Sequence, residues 1–210
     1  IMEEFVFATV NSYDAVIDSS GQPIFETGNV SPISIMDIVN NNDSCLFYIR
    51  SELPEDIREI GRKTVASFGV RSRFIHFEYF RLDQDQPSLG KKGDLVGLEV
   101  NMRPSGGCTP DMINFANSTD VYKIWADMIA FDRSTKETRS LGFACYLGRR
   151  DGRSYVMSDE ALTAKYASCL RMTGRQADAL SDAMGNRMFI AVLPTQEALD
   201  QFARDGLAQS

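Results

Sequence analysis

The chain has 210 residues, 43% of them hydrophobic and 24% charged, which suits one or two globular domains with an ordinary core. Its 22 basic and 29 acidic residues leave a formal charge of −7, which argues against general affinity for nucleic acid or anionic membrane, since both rest on basic patches. A single histidine, His76, excludes multi-histidine metal sites, and Cys45, Cys108, Cys145 and Cys169 form no C-x-x-C pair, so neither zinc nor a redox motif is indicated.

Ile1-Met2-Glu3-Glu4-Phe5-Val6 carries neither a start signal nor a helix cap and reads as the middle of a strand, so the protein is expected to continue upstream. No signal peptide and no membrane-spanning run is recognised, which makes the cytoplasm the expected compartment. Apolar stretches follow at 5–10, 13–18 and 23–25, the last two joined by Ser19-Ser20-Gly21-Gln22 as a hairpin. Residues 28–43, rich in Asn, Ser, Pro and Gly, read mainly as loop, and 45–50 as a short strand. Pro54-Glu55-Asp56 opens a helix whose Ile57, Ile60, Gly61, Thr64, Val65 and Phe68 share one face, and Gly69 stops it.

Two strong strands come next, 73–82 and 94–103, joined by the polar segment 83–93. Helices start at Thr109-Pro110-Asp111 and at Ser118-Thr119-Asp120, the second with an apolar stripe of Val121, Ile124, Trp125 and Met128. Asp151-Gly152 predicts a hairpin between 143–150 and 153–157, with Arg149, Arg150 and Arg153 solvating the turn. Ser158 caps a helix reaching about Leu170, 176–184 is helical, 188–193 is a strand, and Thr195 caps the last helix. Antiparallel strands with segregated helices make the fold class α+β.

The chemistry lies between Phe74 and Asp111. Alternate strand residues share a face, so Phe74, His76, Glu78 and Phe80 point one way on the first strand, and Glu99, Asn101 and Arg103 do so on the second. A hairpin symmetric about Ser88 and Leu89 sets Glu78 opposite Glu99, an arrangement of like charges that destabilises a sheet unless a cation lies between them. Glu78, Glu99 and Asn101 offer the oxygen ligands that Mg²⁺ prefers, with positions left for phosphate oxygens. Arg103 then leads through Gly106-Gly107 to a helix start, where backbone N–H groups and a planar guanidinium favour an anion.

Glu99-Val100-Asn101-Met102-Arg103-Pro104-Ser105-Gly106-Gly107 resembles the E-x-N-x-R-x-x-G-G signature of the ATP-grasp superfamily, and Phe77-Glu78-Tyr79-Phe80 resembles its preceding metal-binding strand. Biotin carboxylase, carbamoyl-phosphate synthase and the amino-acid ligases are similar. The resemblance implies the C-terminal lobe of an ATP-grasp domain over residues 1–132: an antiparallel sheet with flanking helices. A small accessory or dimerising α+β segment is expected over 133–210. It implies ATP and Mg²⁺, with the metal on Glu78, Glu99 and Asn101, the phosphates near Gly106 and Gly107, and Arg103 as the catalytic residue that stabilises an acyl phosphate. Met2-Glu3-Glu4-Phe5-Val6 resembles the interlobe segment whose backbone meets adenine, which implies contacts from Glu3 and Val6. The partners implied are a small carboxylate, an amine or thiol acceptor, and a missing amino-terminal lobe with a phosphate-contacting lysine and a glycine-rich lid, without which the chain alone is expected to be inactive. The rival reading is a non-catalytic nucleotide-binding or scaffold module.

Overall fold

A computed structural model describes residues 4–210. In chain order its elements are β1 (Ala8–Ile17), β2 (Pro23–Thr27), β3 (Asn29–Ser31), α1 (Ile35–Asn41), β4 (Cys45–Ile49), α2 (Glu55–Ser67), β5 (Arg73–Leu82), β6 (Leu95–Asn101), α3 (Thr109–Asn117), α4 (Val121–Phe131), β7 (Phe143–Arg149), α5 (Asp159–Lys165), β8 (Leu170–Arg175), α6 (Asp178–Met184), β9 (Arg187–Leu193) and α7 (Gln196–Leu207). The class is α+β. Two compact units divide the described chain: residues 4–31, 52–110 and 120–137 form the first, and 32–51, 111–119 and 138–210 the second. The carboxy-terminal stretch is therefore built together with two segments from earlier in the chain.

In the first unit β1 pairs antiparallel with β2, β3 and β5, and β5 pairs with β6. The β1–β2 turn is held by Asp18, whose Oδ1 accepts from the Ser20 and Gln22 backbone N–H groups, both at 2.8 Å. One face of β1 and β5 carries Tyr13, Ala15, Ile17, Ile75, Phe77 and Tyr79 into a core with Ile57 and Val65 of α2. Gly61 lets that helix approach: a Cβ there would stand 2.3 Å from the Tyr13 ring. On the opposite face α4 covers one end, with Trp125 edge-on to Phe74 at 5.8 Å between ring centres.

In the second unit β4, β7, β9 and β8 form an antiparallel run, and α7 packs on β7, where Gly206 meets Leu147. The core joins Cys145, Leu147, Phe189 and Ala191 to Leu162, Leu199 and Phe202.

Several sequence expectations need correction. The two stretches at 5–10 and 13–18 are one strand, β1, because its ten residues all find partners on β5, while Phe5 and Phe7 lie outside it and exposed. Residues 28–43 hold β3 and a short helix, α1, capped by the Ser34 hydroxyl. The Asp151-Gly152 turn forms, but 153–157 adds no strand, since β7 is already paired by β4 on one side and β9 on the other. Helix α5 ends at Lys165, and the residues beyond include strand β8 along β9.

Arg149 and Arg150 do not solvate that turn. Arg149 is wholly buried, paired with Asp159 at 2.7 Å, bonded to the Gly206 and Met157 carbonyls, and stacked 4.4 Å over Tyr155. Arg150, 2% exposed, donates to the carbonyls of Asp43, Ser181 and Asp182. Five guanidinium donors in a rigid fork can close several loop ends at once, which a lysine cannot.

Candidate functional site

The face of the first unit's sheet opposite Ile75, Phe77 and Tyr79 carries the polar residues. Register places Asp14, His76 and Asn101 side by side across β1, β5 and β6, and Ser12, Glu78 and Glu99 side by side in the adjacent row. Cross-strand partners share a face, so these six residues form one polar grid on three strands. Glu78 and Glu99 are directly opposed, as the symmetric hairpin requires.

The symmetry holds only up to that pair. Glu78 faces Glu99 but Tyr79 faces Gly97, so Leu98 is an extra residue in β6. Such a bulge twists the strand and re-aims its side chains. Glu99 sits beside the irregularity and is exposed, whereas the Glu78 side chain is 25% exposed. Asn101 is partly buried, and its Nδ2 is enclosed with no hydrogen-bond partner. Amide N and O are assigned rather than seen, so turning the amide end for end offers an oxygen in the same place.

Behind this row lies a buried hydrogen-bonded chain. The Asn29 backbone N–H donates to Ser12 Oγ at 2.8 Å, and Ser12 Oγ in turn donates to Asp14 Oδ2. His76 Nδ1 lies 2.8 Å from Asp14 Oδ1, and its Nε2 lies 3.1 Å from Glu78 Oε1. Burial by itself would lower the His76 pKa, but the carboxylates of Asp14 and Glu78 outweigh it and push the ring up to about 10. Ser12, Asp14 and Asn29 were not singled out in the sequence. The available signal was a serine and an aspartate alternating within a strand that is otherwise core.

After β6 the chain turns through residues 102–108 into α3. Arg103 is exposed and donates from Nη1 to its neighbour Pro104's carbonyl at 2.9 Å. Ser105 is buried with its hydroxyl unpartnered. Gly107 has φ +60°, a left-handed conformation suited to glycine, and a Cβ on Gly106 or Gly107 would meet nothing within 4 Å. The turn thus has open space beside it, next to a helix start.

At the other end of the unit Glu3 lies outside the described residues. Val6, partly buried, precedes β1 beside Phe7, whose backbone N–H and carbonyl are both held by the buried Gln86 side chain at 3.1 Å. Arg81, near the end of β5, is engaged by Asp56 at 2.7 Å. Among the described residues no three His, Cys, Asp or Glu side chains converge as a metal-binding group. The grid instead offers two carboxylates and an amide, which fits a hard cation that arrives with phosphate and water ligands of its own.

No family model and no curated protein matches the chain. Solved structures do. The L-amino acid ligase from Bacillus licheniformis matches with a TM-score of 0.68 at 12% identity, over 98% of this chain and 52% of its own. The phosphoribosylaminoimidazole carboxylase ATPase subunit from Aquifex aeolicus matches with a TM-score of 0.63 at 13% identity, over 97% of this chain and 56% of its own. The fold is that of the ATP-grasp enzymes. A further ATP-grasp structure, the biotin carboxylase domain of the Hydrogenobacter thermophilus 2-oxoglutarate carboxylase, in complex with MgADP, ADP and bicarbonate, has a TM-score of 0.57 at 13% identity and covers 97% of this chain and 46% of its own. The chain spans about half the length of the solved ATP-grasp structures it matches. No helix among the described residues is long and apolar enough to cross a membrane.

Proposed function

We propose that this chain forms the metal- and phosphate-binding half of an ATP-dependent ligase, in which ATP activates a carboxylate as an acyl phosphate for attack by an amine or thiol. The observation that carries this reading is the opposed Glu78–Glu99 pair with Asn101 on the same face, its enclosed amide end unpartnered. Two carboxylates directly across a sheet cost stability unless a cation is shared between them. Bound Mg²⁺ would neutralise phosphate oxygens and act as a Lewis acid at the phosphoryl group.

The chain's own residues bind and orient. Glu78, Glu99 and Asn101 hold the cation. Arg103, exposed at the head of the turn, binds the phosphoryl or carboxylate oxygens through its planar donors. Gly106 and Gly107 let the backbone approach the phosphates closely. Glu3 and Val6 are assigned to adenine. No residue is required as a covalent nucleophile, because positioning and charge neutralisation account for most of phosphoryl-transfer catalysis. Residues 133–210 take no part in the chemistry, and self-association through them would appear as a dimer in sedimentation.

The test is Mn²⁺ binding to the 210-residue chain, followed by electron paramagnetic resonance with and without ATP. Binding that ATP tightens and Glu99→Gln weakens supports the reading. Absence of cation binding under both conditions leaves a scaffold module instead. The chain alone should release no ADP, and fusing it to an amino-terminal lobe with a phosphate-contacting lysine should restore ADP release that depends on a carboxylate.

A further inference from the structure

We propose that Gln86 is a positioning residue for the nucleotide: its side-chain amide clamps the backbone of Phe7 and so holds the adjoining backbone of Val6 ready for an adenine ring. This rests on the assignment of Val6 to adenine above and adds what keeps that segment in place.

Strands β1 and β5 pair residue by residue as far as Ala8 and Leu82. One more rung begins beyond them, with the Asp83 N–H donating to the Phe7 carbonyl at 3.0 Å. The other half of that rung comes from a side chain. The Phe7 N–H donates to Gln86 Oε1, and Gln86 Nε2 donates back to the Phe7 carbonyl, both at 3.1 Å. A carboxamide carries the donor and acceptor of a peptide group, so Gln86 stands in for a strand partner where β5 has ended. The two contacts also fix which way round the amide lies, because only one orientation pairs donor with acceptor at both ends.

Gln86 is itself pinned. It is 6% exposed, its backbone N–H and carbonyl both bond to Gly90 at 2.8 Å, and the Leu89 N–H donates to the same carbonyl at 2.9 Å. The same loop holds the segment at two further points: the Thr9 hydroxyl donates to Asp83 at 3.1 Å, and the Ser88 hydroxyl donates to the Glu4 carboxylate. Apolar packing does little here, since Phe5 and Phe7 are both exposed. Among the described residues no hydrogen bond engages the backbone of Phe5 or Val6. Val6 therefore lies between two anchored residues with its own backbone groups unused. A segment ordered in advance spares a ligand the entropy cost of ordering it.

A fastening that served the sheet alone would affect stability and not the recognition of a base, so the two roles separate by ligand. Gln86→Met keeps the length of the side chain and removes both hydrogen bonds. The 210-residue chain loaded with Mn²⁺ is titrated with ATP and with inorganic tripolyphosphate, which offers the phosphates without the base, and melts are run in parallel. Gln86→Met should weaken ATP binding about tenfold, close to the worth of one hydrogen bond, and leave tripolyphosphate and Mn²⁺ affinity unchanged.

If wild type prefers ATP to tripolyphosphate and Gln86→Met keeps that preference, the positioning role is overturned while the adenine assignment stands. Equal losses for both ligands, following the melting temperature, overturn it as well. If wild type binds the two ligands equally, the adenine assignment fails and this inference with it; if it binds neither, the phosphate reading fails too. Should Gln86→Met not fold, amide hydrogen exchange in wild type decides. Slow exchange at Phe7 without nucleotide, with ATP then slowing Val6, supports the role. Fast exchange at Phe7 without nucleotide, or a Val6 amide that ATP does not slow, overturns it.

Discussion

Replacing Glu99 with glutamine separates stability from metal binding. Glu99 stands directly opposite Glu78, and like charges so placed cost about 0.2–1 kcal/mol. Because Glu99 is exposed and His76 already offsets Glu78, the lower end applies. In a chain of this size about 1 kcal/mol moves the melting temperature by about 2–4 °C, so the metal-free variant should melt no lower than wild type and within about 2 °C above it. Metal binding should move the other way. Two unit charges about 4 Å apart attract by about 1 kcal/mol in bulk water; a divalent ion doubles that to about 2 kcal/mol, or about 30-fold in Kd. In a ligase assembled with its other lobe, a misplaced metal would also forfeit transition-state charge stabilisation at the phosphoryl group, and a loss of about 4 kcal/mol there should slow turnover by about a thousandfold. The assay pairs Mn²⁺ titration with a melt followed by Trp125, the single tryptophan, whose ring packs on Phe74 in the same unit. A variant that melts well below wild type, or binds Mn²⁺ with unchanged affinity, would show that Glu99 is structural.

Three further outcomes test the framework around the site. Gly61→Ala forces a methyl into the Tyr13 ring, and urea denaturation should report a loss of about 1–3 kcal/mol from overpacking. Gly148→Ala should cost at least as much, about 3 kcal/mol, because its Cβ would stand 1.8 Å from the Met184 carbonyl oxygen and backbone must move. Arg149→Met should destabilise by about 3 kcal/mol, the lower end for breaking a buried pair, since Arg187 still holds Asp159 at 2.6 Å; loss of less than about 1 kcal/mol in chemical denaturation would refute the assigned role.

The most legible part of the chain was its local pattern. Beta-strand alternation in 73–82 and 94–103 places Glu78, Glu99 and Asn101 on one face, and a loop symmetric about Ser88 and Leu89 makes the two glutamates partners. Helix starts at Asp120, Ser158 and Thr195 were equally readable, because a capping side chain bonds within a few residues of itself, and Pro54 marks a fourth start through its fixed φ. Such features depend on neighbours in sequence, and the same positions carry the motif that resembles the ATP-grasp signature.

What depends on distant partners was not legible. The Asp151-Gly152 dipeptide specifies a turn, but whether the following residues become a strand is decided by competition for the edges of β7, which β4 and β9 win from 100 residues upstream and 40 downstream (both distances approximate). Arg149 and Arg150 look solvent-facing beside a tight turn; only the closing of loops from 41–44, 157–159, 181–182 and 205–206 around them supplies enough acceptors to bury a guanidinium. The same holds at the candidate site. The sequence by itself determined which oxygen-bearing side chains share a sheet face, because a period of two is a property of the strand. Only the tertiary structure decided that β1 lies along β5 in a register that puts Asp14 beside His76, since strand pairing across 62 residues of separation is set by the packing of whole faces and not by either strand alone.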